Sequence, residues 1–243
     1  MLNILYNKIE NGKKLLALLI DPDKHNKESL KKIINIAEKN PGPDIILVGG
    51  SIIFNSIDET IKIIKSISTK PVYLFPGNAL QVSDIADGIL LLSLISGRNP
   101  DFLIGNHVLS SYKIKESKIN IIPTGYMLIN TGIDTSVSYI SNTTPIPYDK
   151  NNIAIATALA GEMLGLKTIY LEAGSGALKH ISLNMIKDVR QNIKIPLIVG
   201  GGIKNIQQFK DILNAGADMI VIGTATEENP NIITDFAKVK DNF

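Results

Sequence analysis

The sequence contains no cysteine, which removes disulfides, thiolate metal sites and a cysteine nucleophile together. Histidine is scarce. His25, His107 and His180 are scattered, which argues against a multi-histidine zinc site. Neither charge dominates: 25 Lys and Arg face 23 Asp and Glu, a net +2. No strong field favours nucleic acid, so none is expected as a partner. Long apolar runs are missing too. None reaches the ~20 residues of a membrane span, and residues 1–14 lack a signal-peptide core. These absences lead us to expect a cytoplasmic protein.

What is present is a repeating pattern. Short apolar runs at 15–20, 45–48, 71–75, 88–94, 167–172, 196–199 and 218–222 read as strands buried on both faces. Residues 119–122 and 126–129 read as a strand interrupted by a kink or bulge at Pro123-Thr124-Gly125. Helical spacing of apolar residues marks 29–39, 57–67, 100–112, 183–192, 205–214 and 231–240. The segment 79–86 is too short and mixed to read as a firm helix. Residues 131–150 carry Pro145 and Pro147 without a clear period. The alanine-rich helix at 152–164 suggests tight packing, within the chain or between copies, and we expect a homo-oligomer. Eight strand–helix units predict one (β/α)8 TIM-barrel domain over residues 1–243. A doubly wound open sheet is the alternative. It would need a glycine fingerprint after the first strand, where the chain has Asp21-Pro22-Asp23.

Barrel active sites gather at the C-terminal ends of the strands. After strands seven and eight come Gly200-Gly201-Gly202 and Gly223-Thr224, the positions where barrels often hold phosphate on backbone N–H groups. Strand six ends in Tyr170-Leu171-Glu172-Ala173-Gly174-Ser175-Gly176. Tyr170 and Glu172 are two apart and share a face. A phenol and a carboxylate thus stand beside a third glycine turn. Asp21, at the end of strand one, suits magnesium, which prefers oxygen ligands and often bridges to phosphates. Ser51, after strand two, could add a hydroxyl. Helix capping by Asp23 and Ser51 is the competing reading. Lys24, Arg98, His107 and Lys204 are candidate partners for a second anion. His180 reads as a surface or helix-entry residue. Tyr73 and Tyr126 pack in the core or line an apolar cleft near the mouth.

The motifs Leu19-Ile-Asp-Pro-Asp-Lys24, Val48-Gly-Gly-Ser51, Tyr170–Gly176, Val199-Gly-Gly-Gly-Ile203 and Gly223-Thr-Ala225 resemble the geranylgeranylglyceryl phosphate synthase family. That family includes the bacterial heptaprenylglyceryl phosphate synthases. The resemblance implies a Mg2+-dependent prenyltransferase. It would join a polyprenyl diphosphate, expected to be geranylgeranyl diphosphate, to the sn-3 hydroxyl of sn-glycerol 1-phosphate. It assigns the metal to Asp21 and Ser51. It assigns substrate to Tyr170, Leu171, Glu172, Ala173, Gly174, Ser175, Gly176, Gly201, Gly202, Gly223 and Thr224, with Glu172 and Tyr170 catalytic. Leu19 stands where some members carry a lysine that contacts glycerol phosphate. The resemblance further implies a modified or missing third helix. A lipid product would bring the enzyme into peripheral contact with a membrane. The expected prenyl groove lies on strands two to four, with Tyr73, Leu74, Phe75 and Leu92. A sugar-phosphate isomerase or aldolase on the same barrel, or a non-catalytic phosphometabolite binder, are the competing functions.

Overall fold

In the computed structural model, residues 6–9 and 11–243 are described. Residues 1–5 and 10, within the stretch read for a signal core, lie outside the described residues. Eight parallel strands close into a barrel in sequence order. They are β1 (Leu15–Ile20), β2 (Ile45–Val48), β3 (Val72–Leu74), β4 (Gly88–Leu94), β5 (Asn120–Leu128), β6 (Thr168–Glu172), β7 (Leu197–Gly200) and β8 (Met219–Ile222). β1 and β8 close the ring, with Leu15 opposite Met219.

Alternation along each strand separates two cores. Leu15, Ala17, Leu47, Leu90, Ile122, Tyr170, Ile198 and Met219 fill the barrel interior. Leu16, Leu18, Ile46, Ile89, Leu171 and Val199 pack outward against the helices. The helix layer contains α1 (Lys27–Ala37), α2 (Ile57–Lys65), α3 (Asn106–Ser117), α4 (Ser136–Ser141), α5 (Asn151–Met163), α6 (Leu183–Asn192), α7 (Ile206–Ala215), α8 (Thr224–Glu228) and α9 (Ile232–Lys240). Asn26 caps α1 and Ser56 caps α2 through side-chain oxygens. Asp23 and Ser51, read as capping candidates, are therefore not the caps of these helices.

Three features around the mouth bear on function, the first two of them departures from the sequence reading. β5 runs unbroken through Pro123-Thr124-Gly125, with no kink. Pro123 precedes the first β5–β6 pair, Thr124 with Thr168, and its carbonyl still accepts from Lys167 N–H. Its missing N–H therefore falls on the β6 side before pairing begins there, while on the other side Pro123 stays paired with Leu91 of β4. The insertion at 131–150 contains α4, started by a capping box between Thr135 and Ser138, and Ile146 pairs with Ile129. Between β3 and β4 the chain forms no helix, so the barrel lacks its third helix as expected. The outer face of β4 consequently has only a loop over it on that side. α3 is entered through a π-helical turn, Asp101–Gly105.

Candidate active site

One cavity of about 630 Å3 opens at the C-terminal ends of the strands. It has a polar side and an apolar side. The polar side is lined by Tyr170, Glu172, Gly174, Ser175, Gly176, Gly201, Gly202, Gly223 and Thr224, with Asp21 and Ser51 across the mouth. Leu171 and Ala173 are assigned to substrate by the resemblance, and their side chains stand apart from the cavity. Alternation along β6 turns them into the outer core.

Glu172 sits at the junction of the two sides. It is only 7% exposed, and its Oε1 accepts from Gly174 N–H at 2.6 Å. Burial pushes its pKa up. The Gly174 N–H and the phenols of Tyr170 and Tyr126 pull the other way without reversing the shift. Those phenols are themselves held protonated, first by burial and then by the nearby carboxylate. Phe75 completes an aromatic floor, its ring 5.4 Å from Tyr170 and 5.9 Å from Tyr126.

The glycines of β7 are required by this floor. A Cβ at Gly200 would collide with the Tyr170 hydroxyl. One at Gly201 would lie 2.6 Å from Glu172 Oε1, and Gly201 has a φ of +84° that favours glycine. The turns after β6, β7 and β8 thus bring backbone close to one place. Ser175 Oγ and Thr224 Oγ1 meet there at 3.4 Å, and Thr224 opens the short helix α8. Backbone N–H groups, two hydroxyls and a helix start make a cradle for an anion.

Asp21 faces the same cavity. Burial pushes its carboxyl up, although Asp23 N–H donates to its Oδ1 at 3.0 Å. Asp23 has a structural task instead, accepting from the N–H groups of Phe54 and Asn55. Among the described residues no cluster of three or more His, Cys, Asp or Glu could hold a metal ion. A cage made by protein alone is not built here. The donors present, a desolvated carboxylate and a serine hydroxyl on one cavity, fit a hard cation that shares its shell with a substrate phosphate.

The other candidates separate cleanly. Lys24 reaches the cradle, with Nζ 3.4 Å from Ser175 Oγ. Lys204 lines the cavity from an exposed position. Arg98 donates to the carbonyls of Ile95 and Gly97 and is not among the lining residues. His180 bonds the Ile181 carbonyl through Nδ1, also away from the cavity. His107 lines the apolar side, its Nε2 3.2 Å from Ser93 Oγ, and burial pushes its pKa down. Glu227, which the sequence did not single out, also lines the cavity.

The apolar side is lined by Phe75, Val82, Ile89, Leu91, Leu92, Phe102 and Ile114. Residues of both parities on β4 take part. The groove therefore leaves the barrel mouth and crosses to the outer face where the third helix is missing, under α3. The expected groove residues Phe75 and Leu92 are in it; Tyr73 and Leu74 are not. Tyr73 faces inward but at the opposite end of the barrel, paired with Gly88 at the start of β4. Leu74 points into the outer core.

Fold and site together define a (β/α)8 barrel with a buried carboxylate between a glycine-rich, hydroxyl-bearing turn cluster and an apolar groove. The chain belongs to the PcrB family, whose model matches residues 7–240. The geranylgeranylglyceryl phosphate synthase of Spirosoma linguale is 47% identical over 234 residues, covering 96% of this chain and 94% of that protein. The synthase of Pyrococcus abyssi is 40% identical over 235 residues, covering 96% and 91%. Among solved structures, (S)-3-O-geranylgeranylglyceryl phosphate synthase from Thermoplasma acidophilum, in complex with its substrate sn-glycerol-1-phosphate, superposes with a TM-score of 0.93. It is 33% identical and covers 100% of this chain and 99% of its own. Orotidine 5'-phosphate decarboxylase from Pyrococcus horikoshii, at 17% identity and a TM-score of 0.59, shares the fold alone; the match covers 93% of this chain and 98% of that one. The family places this chain among the prenyltransferases.

Proposed function

We propose that this chain transfers a polyprenyl group, geranylgeranyl in the first instance, from its diphosphate to the sn-3 hydroxyl of sn-glycerol 1-phosphate. The observation that carries this reading is the position of Glu172. It is a buried carboxylate where an anion cradle meets an apolar groove. The cradle of residues 174–176, 201–202 and 223–224 takes the phosphate of the glycerol substrate, and the groove takes the prenyl chain. The reaction forms one carbon–oxygen bond from the hydroxyl to the allylic carbon. It breaks the bond from that carbon to the diphosphate, which leaves. The hydroxyl proton passes to Glu172.

Burial raises the proton affinity of Glu172 above that of an ordinary carboxylate. That makes it a better base for a weakly acidic hydroxyl. Its Oε1 is fixed by Gly174 N–H, and the Tyr170 and Tyr126 phenols bond the same carboxylate, so it meets the substrate hydroxyl already oriented. Negative charge at this point also favours the positive charge that develops on the allylic carbon. Tyr170 and Tyr126 steady the carboxylate, and Tyr170 touches the cradle side of the cavity. Asp21 and Ser51 would hold Mg2+, which when bound neutralises charge on the departing diphosphate.

We assign the enzyme to the cytoplasmic face of a membrane, since donor and product are lipids. Among the described residues no helix is long and apolar enough to cross one. Self-association is supported by α5, which leaves Ile153, Met163 and Leu164 exposed beside its alanine face, and sedimentation at several concentrations tests it. The function itself is tested by product mass. Purified protein with Mg2+, sn-glycerol 1-phosphate and prenyl diphosphates from C15 to C35 is expected to yield a prenylglyceryl phosphate. No product with any donor would overturn the reading.

A further inference from the structure

The cradle has a lysine over it, and that lysine is already engaged. Lys24 Nζ lies 3.3 Å from Oε1 and 3.3 Å from Oε2 of Glu227, forked between the two carboxylate oxygens. The same Nζ is 3.4 Å from Ser175 Oγ, which is 3.4 Å from Thr224 Oγ1. All four side chains line the cavity. Lys24 comes from the turn after β1, Ser175 from the turn after β6, and Thr224 and Glu227 from α8. Three separate loops therefore meet around one ammonium group.

β1 itself offers the cradle no cation. Its last inward position is Leu19, whose side chain packs beside Gly223. The positive charge in contact with the Ser175 hydroxyl is Lys24, in the 3-10 turn Pro22–Lys24 that Asp21 caps. The lysine–glutamate pair is held loosely: its side chains are 38% and 27% exposed. Pairs this open to solvent are weak and are exchanged cheaply for a better anion. A phosphate monoester carries more charge than a carboxylate and has three oxygens for an ammonium group to grip. The charge of Glu227 is also felt at Asp21 and His25, so it lies within the field of the whole mouth.

We propose that Lys24 is the cationic ligand of the substrate's phosphate, and that Glu227 is a built-in stand-in anion that substrate must displace. Glu227 keeps Lys24 over the empty cradle. When phosphate arrives, the ammonium group transfers to it, and the Glu227 carboxylate turns to solvent. The inference rests on the proposed function only for the identity of the phosphate compound. A plain brace tying the β1 turn to α8 would use the same two residues, but it makes the opposite prediction for Glu227.

The test is a double-mutant cycle read by calorimetry with sn-glycerol 1-phosphate on the full chain. Lys24→Gln is expected to weaken binding about tenfold or more, the size of a lost charge-assisted contact. Glu227→Gln is expected to tighten it by roughly threefold, because the competitor is gone. The double variant should bind like Lys24→Gln, since there is then no ammonium group to release. Weaker binding by Glu227→Gln, or equal gains from Glu227→Gln with and without Lys24, would overturn the proposal. So would a loss confined to Lys204→Gln, the other lysine lining the cavity. Kinetics keep the two readings apart. Lys24→Gln should raise KM for the glycerol substrate and leave KM for the prenyl donor unchanged. An active enzyme in which Lys24→Gln changes neither KM ends this inference and spares the function. Tight glycerol 1-phosphate binding with no transfer of any donor does the reverse. A wild-type chain that does not bind glycerol 1-phosphate overturns both.

Discussion

At the N-terminal end of the barrel, Asp44 accepts from Lys8, from Lys240 and from the N–H of Leu16. At the C-terminal end, Glu172 relies on one backbone N–H and two phenols. Both carboxylates are removed from water, and burial pushes both upward. At Asp44 the lysines and the N–H outweigh burial and hold the carboxyl below its usual range. At Glu172 burial prevails. Asp218 is tied in at the same end by Lys14, Arg190 and the Leu197 N–H. Asp21 repeats the pattern of Glu172. One end of the molecule uses its charges to tie strands together. The other keeps them under-compensated, where a substrate or a cation can complete them.

That contrast can be broken at either end. The largest effect is expected at Asp21→Ala. Losing several kcal/mol of charge stabilisation at the leaving group costs about a thousandfold in turnover. Removing divalent metal with EDTA should do as much to the wild type and be reversed by Mg2+. The melting temperature of Asp21→Ala should hold or rise, since a desolvated carboxylate is gone. Steady-state turnover and calorimetry on the same preparation check both halves. Next comes Asp44→Ala, which leaves the buried Lys240 only the half-exposed Asp241 as a partner and removes the acceptor of Leu16 N–H. A loss of roughly 3 kcal/mol is expected, with kcat per folded molecule unchanged. Denaturant unfolding beside an active-site titration measures it.

The pH dependence of stability should differ in sign between the ends. The folded pKa of Asp44 is depressed, so its contribution is present above the unfolded value near ~3.9 and is lost as pH falls through the folded one. The folded pKa of Glu172 is raised above 4.5, so it withdraws stability as pH rises from that value through the folded pKa. Unfolding curves from pH 3 to 8 for Asp44→Asn should flatten the acid limb. The smallest effect is expected at Lys65→Ala. Its pair with Asp87 is about one-third exposed on both sides and is worth ~0.5 kcal/mol. A loss above ~2 kcal/mol there would show that pair strength does not follow burial in this barrel.

Much of this was legible in the sequence. The runs at β1, β2 and β4 and the helix α6 are found at the boundaries their apolar periods give. Strands buried on both faces and helices with one apolar stripe leave little choice. The sequence predicts a break in β5 because proline usually ends pairing, and there is none because Pro123 pairs with β4 and turns its missing N–H to β6, where pairing starts one residue later. Strand alternation named the inward residues but not their height. Tyr73 and Phe75 share a face, yet only Phe75 reaches the groove. α8 was missed, since five residues carry no period, and Glu227 was missed with it. The contact between Lys24 and Glu227 joins positions 203 apart, and only barrel closure brings them together.

Glu172, where burial outweighs the three donors that hold it, is the residue proposed to take the hydroxyl proton. Glu172→Gln tests that role most directly, with turnover and melting temperature measured in one buffer at neutral pH. The account predicts a loss of turnover of about a hundredfold to ten-thousandfold and a melting temperature equal to or above that of the wild type. Turnover near the wild-type level, or a fall in both quantities together, would contradict it.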